Sequence, residues 1–297
     1  MIVSPQGADI ICTAVRDFSL RDTLLCGQCF RWNETAPNVF TGTVGDKTLT
    51  ILQEGDTLLL KGCTMQDFDD VWRDYFDLAR DYGAIKALMY TDPALQRAID
   101  NAPGLRVLRQ PPWETLCSFI ISQNNNIGRI KGIVARLCEC FGRPITDSRG
   151  KATAYSFPDA HTIAALQETD LAPLRAGWRA GYIMDAATKV ASGEVPFDRL
   201  YHCDIDDART MLRTIKGVGP KVADCVLLYG FTRTEAFPLD VWMKRAMELY
   251  YPNGLPDCAK DYPGIAQQYL FHYIRSGNKC AFCNKPTCTK RSKKAHT

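Results

Sequence analysis

The sequence predicts an α+β fold, mostly α, in which an antiparallel β-sheet domain at the N-terminus precedes two helical lobes that carry a helix-hairpin-helix motif. Three observations predict it. Two-residue alternation punctuated by Gly-Asp pairs is confined to the first 63 residues. Apolar residues at 3.6-type spacing take over from Thr64. A Gly-Val-Gly turn at residues 217–219 separates two helical stretches, and a proline opens the second.

Within the first region, Val39-Phe40-Thr41-Gly42-Thr43-Val44 and Thr48-Leu49-Thr50-Ile51-Leu52 flank Gly45-Asp46. Gln53-Glu54-Gly55-Asp56 then leads into Leu58-Leu59-Leu60, so residues 1–63 read as strands and turns in an antiparallel meander. Thr64 with Asp67 three residues on has the form of a capping box, and Phe68, Val71, Trp72, Tyr75 and Phe76 follow at helical spacing. From here the chain reads as helical to its end. The periodic segments are residues 113–121, 127–141, 162–166, 182–191, 206–214, 221–229, 241–250 and 264–275, separated by Gly, Pro and Asn clusters. This order divides the chain into a sheet domain with flanking helices over 1–108, one helical lobe over 109–135 plus 221–297, and a second over 136–220 that ends in the hairpin.

At 297 residues and 46% apolar composition the chain buries a sizeable core, which excludes disordered and fibrous classes. The formal charge is only +3, but it is unevenly spread. Seven of the 36 basic residues and none of the 33 acidic ones lie from Arg275 on, so residues 1–274 carry a net charge of −4. The C-terminal stretch is a basic arm that suits phosphates or is a solvated tail. Thirteen cysteines, an odd number, sit singly in apolar segments, which is the pattern of reduced thiols in an intracellular protein, cytosolic or nuclear. Asp9 interrupts the first apolar stretch and no basic segment precedes it, so no signal peptide is expected. No apolar run reaches the roughly 20 residues of a membrane span, and no membrane partner is expected.

Two segments carry chemistry. In the hairpin, Gly217 and Gly219 let bare backbone approach a phosphate while the N–H groups and dipole of the following helix point at the anion. Lys221 lies in the first turn of that helix, where the dipole disfavours a cation, so a lysine placed only for stability belongs at the other end. Nineteen residues on, Phe237-Pro238-Leu239-Asp240-Val241 presents a carboxylate immediately before another helix. Asp240 is an N-cap by type and position, and a capping carboxylate is also held rigidly enough for chemistry.

With these residues the chain resembles the helix-hairpin-helix DNA glycosylases with the Gly-Pro-Asp loop, and among them the 8-oxoguanine DNA glycosylases of the Ogg type. Further matches are Gly27-Gln28-Cys29-Phe30-Arg31-Trp32, Ser122-Gln123-Asn124-Asn125-Asn126-Ile127-Gly128-Arg129-Ile130, Lys221-Val222-Ala223-Asp224-Cys225, and Gln267 with Phe271. They run from about residue 20 to 275 in the family's order.

The resemblance implies a monomer that acts on double-stranded DNA containing 8-oxoguanine, extrudes the damaged nucleotide and plugs the gap. It implies that Asn124 fills the gap, that Trp178 wedges beside it where the family usually has tyrosine, and that Arg129 and Arg179 read the orphaned cytosine. Cys225 and Phe271 would face the two sides of the extruded purine, and Gln267 would meet its Watson–Crick edge. The Gly27 carbonyl would attract the N7–H of the oxidised base and repel the N7 lone pair of guanine. Lys221 would displace the base from C1′ as a neutral amine, and Asp240 would stabilise the cationic sugar. Neither a cofactor nor a metal is required. On composition alone the ordinary readings are core packing for Cys225 and Phe271, a polar loop for the Asn run, and a surface salt bridge for Arg129.

Two positions depart from the family pattern. Trp242 stands where a phosphate-contacting histidine is usual, and Ile274 where an aspartate usually follows the Phe271 helix. Cys280, Cys283 and Cys288 resemble the cluster-binding end of related glycosylases, but Tyr273 occupies the place of the fourth ligand, leaving His296 or Cys258 to complete a site. The rival readings are a glycosylase of the same superfamily for another oxidised or alkylated base, and a hairpin DNA-binding module without catalysis.

Overall fold

The structure, a computed structural model, describes residues 1–275. Six antiparallel strands, β1 (Ile2–Gln6), β2 (Asp9–Thr13), β3 (Trp32–Ala36), β4 (Val39–Val44), β5 (Lys47–Glu54) and β6 (Thr57–Lys61), pair in the order β1-β2-β6-β5-β4-β3. The Gly-Asp pairs are two-residue hairpin loops, with Gly45 at φ +58° and Gly55 at φ +60°, left-handed values that glycine adopts without strain. These turns set the registers Val44↔Lys47 and Glu54↔Thr57, which place Phe40, Leu49, Ile51, Leu58 and Leu60 in the buried core. Gly42 has a packing role, because a Cβ there would lie 2.2 Å from the Trp32 ring.

The Trp32 indole donates to the Tyr75 hydroxyl at 2.8 Å, and both rings belong to an aromatic cluster with Trp72 and Phe76. Those three residues come from the helical segment opened at Thr64, whose hydroxyl accepts the Asp67 N–H at 3.0 Å. The capping box is half formed, since the Asp67 carboxylate takes the Thr64 hydroxyl and Lys47 instead of the Thr64 N–H. One departure falls within the strand region. A helix, Leu20–Leu25, stands between β2 and β3, capped by Ser19 and burying Leu20 and Leu24.

Beyond residue 64 the chain is mostly helical. Ile127–Phe141 and Val241–Tyr250 begin and end where periodicity places them, while Pro112–Ser122, Pro220–Gly230 and Pro263–Arg275 differ from expectation by about one residue at their ends. The expectation of helix throughout is corrected at β7 (Pro144–Thr146) and β8 (Ala152–Tyr155), which form a small hairpin. Its turn is built by Asp147, whose carboxylate accepts the N–H groups of Arg149 and Lys151, and by Gly150 at φ +76°.

Two apolar interiors result. One underlies the sheet. The other runs without a break from Leu95 and Leu105 through Leu116, Val134, Leu174, Leu212 and Val226 to Leu270. Helices Tyr82–Met89 and Pro93–Asn101, each capped by an aspartate, place Ile85, Met89, Leu95 and Ile99 in the second interior although they precede residue 108. No helix among the described residues is long and apolar enough to cross a membrane.

Candidate active site and nucleic-acid interface

Helix Ile205–Arg213, the Gly217-Val218-Gly219 turn and helix Pro220–Gly230 form the expected helix-hairpin-helix. The two glycines have different reasons. Gly217 sits at φ +79°, and a Cβ there would lie 2.0 Å from the Tyr182 ring, so both conformation and space demand glycine. Gly219 is extended, with nothing within 4 Å of a Cβ, so neither conformation nor internal packing demands glycine there. Ser19, Asp92, Asn126, Asp159, Asp204 and Asp240 cap their helices with side chains, whereas Gly219 provides none. The first-turn N–H groups of Pro220–Gly230 therefore lack a side-chain acceptor, which is the electrostatic setting that suits a phosphate. The turn is braced by Asp185, whose carboxylate accepts the Lys216 N–H at 2.8 Å.

Lys221, one residue into that helix, is half-buried with Nζ 5.0 Å from the centre of the Phe119 ring. The thiol of Cys225 lies one turn on along the same helix. Burial pushes the Cys225 thiol up, the Lys221 charge and hydrogen bond oppose that, and the Asp240 charge adds to it. Asp240 caps helix Val241–Tyr250, its Oδ1 accepting the Met243 N–H at 2.8 Å. Lys221 and Cys225 thus lie one turn apart on one helix, and Asp240 is fixed at the start of the next one.

A second helix supplies another wall. Gln267 and Phe271 lie one turn apart on Pro263–Arg275. Gln267 is only 3% exposed, and its Nε2 donates to the Pro238 carbonyl at 3.2 Å. Its Oε1 is buried with no hydrogen-bond partner among the described residues, an acceptor suited to a donor from outside the chain. The half-buried Phe271 ring lies 5.1 Å from the Arg275 guanidinium, which also lies 3.2 Å from where a Gly27 Cβ would stand. Gly27 takes φ +94°. Arg275 therefore joins Gly27 and Phe271, and neither it nor Phe119 stood out in the sequence.

The Asn run makes a turn between Pro112–Ser122 and Ile127–Phe141. Asn125 donates to the Ile121 carbonyl and Asn126 caps the next helix, so two of the three amides serve the backbone. Asn124 is exposed at φ +47°, with Arg129 exposed nearby in sequence. Trp178 is 50% exposed and meets Tyr182 edge-on at 5.1 Å. Arg179 differs from the expectation of an outward-facing reader. It is 3% exposed, and its guanidinium donates to the carbonyls of Gln123, Asn124 and Ala176 behind the Asn124 turn. The physical reason is that three carbonyls converge behind this turn and the Arg fork supplies their donors.

Trp242 is exposed, with Arg245 5.6 Å from its ring. Cys280, Cys283, Cys288 and His296 lie outside the described residues, and Cys258 is a free thiol. Among the described residues no group of three or more His, Cys, Asp or Glu side chains is arranged to hold a metal.

Comparison with known proteins gives a consistent pattern. Residues 10–116 match the 8-oxoguanine DNA glycosylase N-terminal domain, and residues 117–256 match the HhH-GPD superfamily base excision DNA repair proteins. The solved structure of MBOgg1 in complex with a low-affinity DNA ligand is 44% identical, covers 93% of this chain and 98% of that one, and superposes with a TM-score of 0.86. The Clostridium acetobutylicum 8-oxoguanine glycosylase/lyase, in complex with double-stranded DNA containing cytosine opposite 8-oxoguanine, is 34% identical over 93% of this chain and 98% of its own, with a TM-score of 0.85. The N-glycosylase/DNA lyase of Saccharomyces cerevisiae is 32% identical over 79% of this chain and 69% of its own.

Proposed function

This chain belongs to the 8-oxoguanine DNA glycosylases within the HhH-GPD superfamily of base excision DNA repair proteins, and from that footing we propose that it excises 8-oxoguanine from duplex DNA and then cuts the strand through a Schiff base on Lys221. The observation that carries this reading is the buried Gln267 side chain, whose Nε2 is tied to the Pro238 carbonyl two residues before Asp240 and whose Oε1 has no partner among the described residues. The Watson–Crick edge of an oxidised guanine offers N1–H and N2–H donors to that oxygen. Gly27 would offer its carbonyl to N7–H, and Phe271 and Cys225 would take the two faces of the ring.

In the reaction the neutral Lys221 amine bonds to C1′ while the C1′–N9 bond breaks and the base departs with the electron pair and a proton. The sugar ring opens to an imine, loss of the 2′-proton breaks the C3′–O bond, and the strand is cut. Asp240, fixed by its capping bond, stabilises the positive charge that develops at the sugar. None of these steps needs a metal or cofactor. The Gly217–Gly219 turn would hold a phosphate, Asn124 would occupy the vacated stack, and Trp178 would wedge beside it. Cytosine would be preferred opposite the lesion, read by Arg129 and by Arg179 once it leaves the Asn124 turn. The protein would work as a monomer inside the cell, a setting supported by the free thiols of all its described cysteines.

Lys221→Gln should bind lesion duplex yet form no borohydride-trapped adduct, and trapping that survives the change refutes the assignment. Duplexes with each of the four opposite bases should be cut fastest with cytosine. Cuts with and without alkali identify glycosylase plus lyase, and cuts in neither condition identify a DNA-binding module alone.

A further inference from the structure

Gly27 lies between Cys26 and Gln28, and both neighbours lead by hydrogen bonds to one distant residue. On one route Gln268 Nε2 donates to Cys26 Sγ at 3.1 Å, and the Tyr229 hydroxyl donates to Gln268 Oε1 at 2.5 Å. On the other, Gln110 Nε2 donates to the Gln28 carbonyl at 2.8 Å, and the Gln110 N–H donates to the Tyr229 carbonyl at 2.8 Å. Cys26, Gln28, Gln110, Tyr229 and Gln268 are all buried. The Tyr229 ring stacks on Phe119, centroids 5.3 Å apart and planes within 15°, and the Lys221 amine stands over that same Phe119 ring. Lys221, Cys225 and Tyr229 recur every four residues on one helix, so a single stripe carries the amine, the thiol and the hydroxyl.

Resting on the functional reading above, we propose that Tyr229 is a positioning residue that fixes the Gly27 carbonyl relative to the Lys221 amine, so that the group reading the lesion and the group attacking the sugar are held in one frame. The argument is geometric. A turn held on both sides by buried hydrogen bonds to one rigid helix has little freedom to drift from it, because breaking either route strands an unsatisfied polar group. A recognition carbonyl that discriminates between N7–H and an N7 lone pair is useful only when its alignment holds at the moment of attack, and sub-ångström drift degrades both selectivity and rate. The turn after helix Leu20–Leu25 provides Cys26 and Gln28, while later parts of the chain provide Tyr229, Gln268 and Gln110. The two routes therefore also explain how a recognition turn on one part stays in register with a nucleophile on the other.

The test is Tyr229→Phe, which deletes one oxygen and leaves the ring on Phe119. Single-turnover excision of 8-oxoguanine should fall on the order of tenfold, and selectivity over guanine should narrow by a similar factor. Strand cleavage at a preformed abasic site, which has no base for Gly27 to read, should stay within about twofold of wild type. Cys26→Ser, which keeps an acceptor for Gln268, should retain excision, whereas Cys26→Ala should follow Tyr229→Phe. Excision unchanged by Tyr229→Phe overturns the proposal, and so does an equal loss in both reactions, which signals general loosening. A wild-type protein that excises no 8-oxoguanine defeats the underlying functional reading, an outcome distinct from either.

Discussion

Gln267 donates to the Pro238 carbonyl at 3.2 Å, and Pro238 lies two residues before Asp240. The side chain assigned to the edge of the base is thus also a tether for the loop that carries the carboxylate. Gln267→Met keeps the volume and removes both functions. Its kcat/KM on 8-oxoguanine duplex should fall by about two orders of magnitude, because a site built to hydrogen-bond a base loses strongly when that bond goes. Cleavage at abasic sites should fall as well, by less, through the loosened loop. Abasic-site cleavage that matches wild type would show that the tether is dispensable.

Capping and chemistry at Asp240 can be separated. Asn caps a helix about as well as Asp, so Asp240→Asn should leave thermal stability nearly unchanged while excision drops by about a hundredfold or more. Asp240→Ala should add about 1 kcal/mol of destabilisation through the lost bond to Met243. Equal stability losses in the two variants, measured by denaturant titration, would contradict the division.

The hairpin glycines should respond differently to the same methyl group. Gly217→Ala meets the Tyr182 ring at a left-handed backbone and should cost roughly 1–3 kcal/mol of stability. Gly219→Ala points into open space and should leave stability within about 0.5 kcal/mol of wild type. It should nevertheless weaken duplex binding. Paired unfolding and binding measurements on the two variants check this.

His272, beside Phe271, is held below its ordinary value of 6.5, chiefly by burial, with Arg275 adding to the shift and Asp22 opposing it. A base whose folded pKa is depressed is protonated more readily when unfolded. The corresponding stability is therefore fully present above pH 6.5 and is lost as the pH falls from there through the folded value. His272→Gln should flatten the Tm-against-pH profile below neutrality, and parallel profiles for the two proteins would remove His272 as the cause.

The sheet and hairpin were legible because local rules decide them. Gly45-Asp46 and Gly55-Asp56 need only two residues to turn a strand, and Gly217-Val218-Gly219 followed by Pro220 needs only its flanking periodicity. The Leu20–Leu25 helix escaped because six residues are too few for periodicity to declare itself, leaving only the Ser19 cap as a signal. Phe119 lies in an apolar helix whose neighbours are all buried, so nothing local distinguishes the ring that meets Lys221. The burial of Arg179 depends on carbonyls some 55 residues away, and the Gln268 bond to Cys26 spans 242 residues. Contacts of that kind belong to tertiary structure and leave no periodic trace.

Trp178, Tyr182 and Gly217 form one continuous pile of atoms, which joins the exposed tryptophan to the hairpin turn. If that joined surface holds its shape against straight DNA, the elastic work of fitting falls on the double helix. That work is smallest where base stacking is already weakened, at a flexible pyrimidine–purine step or a mispaired site. The stiffness of the nucleic acid would then act as a first filter on where this protein stops, ahead of any contact with an extruded base.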